Sequence, residues 1–276
     1  MIRKNPALKP SKLRKHRRKI FAVRFGLAFL LFVGFVFLFS WISKISSLQI
    51  ENIEVVGNST VSSADIIDAV KKETSVKYFM LFSKNSVFLY PKKAIEKKLT
   101  DEFKKINRVA IKSKGFKTII VSMVERKPDS LWCYSAVEGV SARKDEDSGK
   151  CYFLDKEGMV FSKAPDFSGN AFIRYYGLLD SFEQPIGKIY LPNGRFREVS
   201  RFVSLLDVLG VKTAGFQAQS ERDYEIDLKN GIKIIFDDKQ PFDKTLENIQ
   251  SIMSEVNLKG EYPAPNSPKI NYVDLR

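Results

Sequence analysis

FGLAFLLFVGFVFLFSWIS, Phe25–Ser43, is a run of nineteen residues without a charge, dominated by Phe, Leu and Val. As a helix rising about 1.5 Å per residue it spans about 28 Å, close to the hydrocarbon thickness of a bilayer. Ten bases stand before it: Arg3, Lys4, Lys9, Lys12, Arg14, Lys15, Arg17, Arg18, Lys19 and Arg24. Only Lys44 follows closely. The positive-inside bias predicts a cytoplasmic N-terminus and everything from about residue 45 outside. Arg24 is placed to snorkel to the inner headgroups and Trp41 to sit at the outer interface. The competing reading is a cleaved signal peptide. Its apolar core is normally about 7–15 residues and ends at an A-x-A-like site. This run is longer and no such site follows, so the expectation is an uncleaved, single-pass anchor.

That segment also explains the charge. The 276-residue chain carries +14, but residues 1–50 hold eleven Lys/Arg and no acid, leaving 35 bases against 32 acids in residues 51–276. The basic part is a topology determinant and a binder of anionic lipid. A basic surface spread over a folded domain, which phosphate recognition requires, is not visible, so nucleic acid is not an expected ligand. The single histidine is His16, within the basic segment, and the only cysteines are Cys133 and Cys151. That count excludes a Cys/His zinc site, and no metal or cofactor is expected.

Beyond the anchor the pattern predicts two domains. Alternation in LQIENIEVV gives a strand over 48–56, with Gly57-Asn58 as its turn. Ser62 followed by Asp65 reads as a capping box, opening a helix to about Lys72 that buries Ile66, Ile67 and Val70. A second helix starts at Pro91 and turns Ala94, Ile95, Leu99 and Phe103 inward. Strands near Asn107–Ser113 and Lys117–Glu125 follow, so residues 48–127 form an α+β unit ordered strand, helix, helix, strand, strand.

From Pro128 the pattern turns mostly to strands: Leu131–Tyr134, Cys151–Leu154, Met159–Phe161, 171–176, Asp223–Leu228, Ile232–Phe236 and Lys269–Leu275. Lys229-Asn230-Gly231 is a hairpin signal. Helices are expected over Phe196–Leu209, with Val199, Phe202, Val203, Leu206 and Leu209 inward, and over Asp243–Val256. The fold class is therefore α+β: a basic tail (1–24), one membrane helix (25–43), a first α+β domain (48–127) and a second, β-rich domain with helices (128–276).

This arrangement resembles the FtsQ/DivIB family of bacterial cell-division proteins. The resemblance rests on the IEVVGN strand-turn and SSADII helix, VSMVERKP at Val121–Pro128, CYFLDKEGMVF at Cys151–Phe161 and YVDLR at Tyr272–Arg276. It implies a POTRA-like first domain and a non-enzymatic scaffold of the divisome, located at the division septum. It also implies FtsB-like and FtsL-like small bitopic partners, and through them the septal peptidoglycan synthase. The implied mechanism is β-augmentation, in which a partner strand pairs with the sheet edge at Tyr272, Val273, Asp274, Leu275 and Arg276.

Each site has a plainer reading. The YVDLR strand can be an internal strand paired on both sides; the resemblance favours the binding edge. Val273 and Leu275 fall on one face and Tyr272, Asp274 and Arg276 on the other. Cys133 and Cys151 flank the polar loop Val137–Lys150, and they read either as a disulfide or as two buried thiols. Glu125, Arg126 and Pro128 form either a recruitment patch or a solvated strand end. Two other functions compete: a POTRA-bearing adaptor for envelope transport, and a membrane-anchored cell-wall hydrolase working through paired carboxylates. No G-x-S-x-G, H-E-x-x-H or P-loop motif supports an enzyme.

Overall fold

The computed structural model describes residues 12–42, 45, 48–75, 77–78, 82–134, 150–166, 171–179, 184–256 and 270–276. Several expected features lie outside them: Arg3, Lys4 and Lys9 of the basic tail, Ser43 and Lys44 at the end of the anchor, all but the last residue of the Val137–Lys150 loop, and Lys269 of the last expected strand. The fold is α+β with one long N-terminal apolar helix and β-rich sheets.

Helix α1 covers Lys12–Ile42, so the basic residues from Lys12 onward belong to the same helix as the apolar run. Lys and Arg are good helix formers, and no Gly or Pro interrupts Lys12–Phe25. Its segment Arg17–Ile42 is long and apolar enough to cross a membrane. Phe21, Phe25, Leu30, Phe37 and Trp41 are all more than half exposed, the state of a helix whose solvent is not the protein's own core.

The first compact unit comprises residues up to 101 together with 108–123. Strand β1 (Asn52–Val56) leads to α2 (Ser63–Thr74), a short hairpin of β2 (Lys77–Tyr78) and β3 (Phe82–Ser83), α3 (Lys92–Glu102), β4 (Ile106–Lys114) and β5 (Thr118–Glu125). The sheet runs β1-β5-β4, with β1 parallel to β5 from Asn52 opposite Thr118 to Val56 opposite Ser122. Ile66, Val70, Ile95, Leu99, Ile111, Ile119 and Val121 are buried, and among the described residues no aromatic side chain of this unit is buried with them. The periodicity that predicted the two helices is thus the periodicity of their buried faces.

Four details differ from expectation. The first strand starts at Asn52, because the N–H groups of Glu51 and Asn52 both donate to the Lys117 carbonyl and the ladder begins only there. Ser62 occupies the N-cap of α2 without a side-chain capping bond, while the Asn58 amide nitrogen donates to Ser63 Oγ and the Val61 carbonyl, each at 2.9 Å. Ala94 faces outward, since Ile95 and Leu99 already fill the inner stripe of α3. The β2–β3 hairpin was not expected at all.

The second unit comprises residues 102–107 and 124–276. Its strands are β6 (Ser130–Cys133), β7 (Cys151–Leu154), β8 (Val160–Lys163), β9 (Arg174–Gly177), β10 (Thr213–Ala218), β11 (Asp223–Leu228), β12 (Lys233–Asp237) and β13 (Tyr272–Asp274). Helices α4 (Arg195–Val208) and α5 (Phe242–Val256) complete it. The eight strands form one sheet in the order β13-β12-β11-β10-β9-β6-β7-β8. Two antiparallel blocks, β6-β7-β8 and β10-β11-β12, are joined through β9, which is parallel to both β6 and β10.

One core contains Trp132, Tyr175, Tyr190, Phe196, Phe202, Phe216, Tyr224 and Phe236, with the inner stripe of α4 and Ile249 of α5 packed into it. Leu131, Cys133, Ala164 and Phe153 form a smaller cluster apart from it. Strand β6 is therefore buried along its whole length, with Trp132 in the large core and its neighbours Leu131 and Cys133 in the small cluster. Strand β10 escaped the sequence reading because Gly215 breaks its alternation; a Cβ there would stand 3.0 Å from the Tyr176 ring. Leu209, expected inward, is only half-buried just past the end of α4.

Candidate functional site

The C-terminal strand β13 ends the sheet. It pairs in parallel with β12 alone, Lys233 opposite Tyr272, Ile234 opposite Val273 and Ile235 opposite Asp274. The Lys233 N–H donates to the Asn271 carbonyl at 3.0 Å and the Leu275 N–H donates to the Ile235 carbonyl at 2.9 Å. Backbone groups alternate along a strand, so the N–H and C=O of Tyr272 and Asp274 point away from β12. No strand among the described residues pairs with that side.

The side chains divide by face. Val273 and Leu275 are half-buried against the aromatic core, whereas Tyr272 is 61% exposed. Asp274 and Arg276 hold each other on the surface through contacts of 2.6 Å (Nη2 to Oδ2) and 3.0 Å (Nε to Oδ1). Arg276, by hydrogen bond and charge, holds the Asp274 carboxyl below its usual range. The Gln240 amide donates to the Leu275 carbonyl at 3.1 Å, fixing the strand's end to the start of α5. The five residues of YVDLR thus lie together at one sheet edge, with a tyrosine and a self-paired ion couple on its open face.

Cys133 and Cys151 sit opposite one another in the β6–β7 ladder and are joined as a disulfide, with Cα atoms 4.1 Å apart. Cys133 is 2% exposed. Beside the bond, Trp132, Tyr134 and Tyr152 contact one another at ring separations of 4.7 to 6.1 Å. The Trp132 indole N–H donates to the Gly177 carbonyl at 3.0 Å, satisfying its polar atom inside the core. Such a bond is a brace, not a reactive thiol pair.

The Glu125–Pro128 stretch separates into residues with different surroundings. Arg126 turns inward and forms an ion pair with Asp155, both side chains largely shielded, and its Nε donates to the Lys104 carbonyl at 3.1 Å. Asp155 Oδ1 also accepts the N–H groups of Glu157 and Met159, each at 2.9 Å, shaping the turn before β8. Arg126 is thereby committed to holding this turn, Glu125 is half-buried and Pro128 is exposed. Nearby, burial is the main influence that raises the Asp129 carboxyl above its usual range, with Asp155 adding to it and Lys156 opposing.

The sequence reading missed one charged constellation. A hollow of about 470 Å³ is bounded by α4 and by Asp238–Asp243. In it Asp238 accepts from Arg195 at 2.9 Å and from Arg222 at 2.7 Å, while Arg195 also meets Glu198 at 2.8 Å and lies over the Phe242 ring. These residues are scattered in sequence, so only folding assembles them. Within this group two guanidinium charges and two carboxylate charges balance one another. Among the described residues no group of three or more His, Cys, Asp or Glu could hold a metal ion.

Residues 3–145 match the protein family described as "Putative stage IV sporulation protein YqfD". The match spans just over half of the 276 residues, including α1 and all of the first unit from residue 3 onward. No curated protein matches the chain. The family match overturns the FtsQ/DivIB resemblance, and with it the divisome-scaffold role and the part in septum formation; FtsB-like and FtsL-like partners lose the ground on which they were expected. The short motifs misled for a physical reason. In VSMVERKP, Val121 and Met123 are the inward positions any half-buried strand would show, and Arg126 is set by its pairing with Asp155. CYFLDKEGMVF and YVDLR lie outside the matched residues.

Proposed function

The chain belongs to the YqfD family, and from that premise we propose that it is a membrane-anchored, non-enzymatic protein acting in stage IV of sporulation. The observation that carries this reading is the family match across residues 3–145, the part of the chain containing α1. In this reading α1 is an uncleaved anchor with a cytoplasmic N-terminus, and both folded units lie outside. The bases preceding the apolar run support that orientation. The Cys133–Cys151 disulfide supports an oxidising compartment for the second unit.

The order β1, α2, α3, β4, β5 around a small sheet supports reading the first unit as POTRA-like. In the second unit, the open side of β13 is the surface offered to another protein by strand pairing, with Tyr272 and the Asp274–Arg276 couple available for selectivity. Proteins acting this way need no cofactor.

Deleting the gene in its own organism tests the role. Vegetative growth is expected to continue while sporulation stops at stage IV; normal spore yield would overturn it. Peptide mapping of the membrane-bound protein tests the anchor, which is expected to keep α1 joined to the first unit.

A further inference from the structure

Outside α1, the exposed large apolar side chains among the described residues of the first unit are Val56, Phe88, Leu89 and Phe116. Three of these four gather at one place. Phe88 is 66% exposed and Phe116 62% exposed, yet their rings contact each other at 6.2 Å, with Leu89 next in the chain to Phe88. Phe88 and Leu89 belong to the turn after β3, and Phe116 belongs to the β4–β5 turn, raised on Gly115 at φ +67°. Two loops far apart in sequence have thus brought aromatic rings together without covering them. Among the described side chains of this unit the buried apolar ones are aliphatic or methionine, while Phe88 and Phe116 stay outside, and exposed rings gathered in one patch mark an interaction surface.

The position of this patch identifies what covers it. Its turn is tied to the residues that leave α1: the Val87 N–H donates to the Leu48 carbonyl at 3.0 Å, the Ile50 N–H donates to the Asn85 carbonyl at 2.8 Å, and Gln49 bridges to Ser86. Helix α1 ends at Ile42, so at most about 20 Å of chain separates its end from Leu48 even if extended. The chain is not extended, because the Ile45 N–H returns to the Ile42 carbonyl and the Leu48 N–H to the Ile45 carbonyl. A helix crossing a bilayer therefore delivers this patch to the bilayer's own surface.

The rim of the patch fits an uncharged surface. Lys117 pairs with Glu51 at 2.9 Å and Lys114 with Glu54 at 3.1 Å, so these two cations beside Phe116 are neutralised by the protein. Attraction to anionic headgroups is not the driving force here; insertion of apolar rings at the interface is. We propose that Phe88, Leu89 and Phe116 form an interfacial membrane foot, by which the first unit rests on the bilayer that α1 crosses. This rests on the anchor reading of α1. The foot fixes the unit's orientation against the lipid, which a single helix joined by a short chain cannot do alone.

The test uses the full chain reconstituted in phosphatidylcholine vesicles containing brominated phosphatidylcholine, which quenches tryptophan on contact. In the unaltered protein, Trp41 reports whether α1 is in the bilayer, and Trp132, which is 1% exposed, serves as the unquenched internal reference. Phe116→Trp and, separately, Phe88→Trp are then placed in a Trp41→Phe background. The added tryptophan is expected to lose at least half its emission, to the same extent in vesicles with and without anionic lipid. Val208→Trp, at a site 80% exposed in the other unit, provides the control for random collision. Strong quenching of Trp41 with none at positions 88 and 116 overturns the foot and leaves the anchor standing. No quenching at any of the three overturns both. A blue-shifted but unquenched signal at 116 means that protein covers the patch, which also overturns the proposal.

Discussion

The two folded units place their aromatic side chains in opposite ways. The second unit buries them: Tyr175, Phe196, Phe216, Tyr224 and Phe236 meet ring against ring in the core shared with α4 and α5, Trp132 is buried with them, and a disulfide braces the neighbouring strands. The first unit has a small sheet closed by Ile, Val and Leu, and leaves Phe88 and Phe116 outside. The difference shows that aromatic content is not a measure of core size. Rings fill a core where two long helices must be spaced from a wide sheet. Where a compact core of branched side chains already closes, a ring at the surface is available for another solvent.

The sharpest way to break this contrast is Trp132→Ala. Removing a buried indole and its bond to Gly177 is expected to cost about 4 kcal/mol, with faster amide exchange confined to residues 124–276. Equal loosening of residues 50–101 would mean that the units do not depend on separate cores. Next, the double variant Cys133→Ser with Cys151→Ser is expected to lower stability to denaturant by about 3 kcal/mol, the scale for closing a loop of this length. Added reductant should reproduce the loss in the unaltered protein and change nothing in the variant.

A smaller effect is expected at Asp129. Burial raises its folded pKa above the unfolded value, so the folded state holds this proton more tightly. Stability from this group is therefore full below about pH 4 and declines as pH rises through the folded pKa. Asp129→Asn should raise the urea midpoint slightly at pH 7 and leave it unchanged at pH 3.5; a fall at pH 7 would reverse the sign argued here. Smallest of all, Phe116→Ser should change stability by less than about 0.5 kcal/mol, because the ring contributes little to its own unit's core. A large loss would place that ring in the core after all.

Much of the architecture was readable from periodicity. The buried stripes of α2 and α4, the hairpin at Asn230-Gly231 and the apolar helix all follow from local pattern and turn chemistry. Strand β10 was not readable, since Gly215 makes room for a ring supplied by β9. Nor were Arg126 facing Asp155, or Asp238 gathering Arg195 and Arg222, because such pairs exist only after distant segments meet. The family was misread from short motifs whose residues serve packing. At the candidate edge, the face assignment of Val273 and Leu275 was legible from alternation. That β13 ends the sheet was not, since strand order carries no local signal.

The strand order also bears on how quickly the second unit can form. The antiparallel blocks β6-β7-β8 and β10-β11-β12 are each built from neighbours in sequence, whereas β9 must find two parallel partners, one before and one after it along the chain. Both searches close long loops, which is slow compared with forming a hairpin. Docking of β9 is thus expected to set the refolding rate. Tyr175→Ala, which strips β9 of its buried ring, is expected to slow refolding followed after dilution from urea.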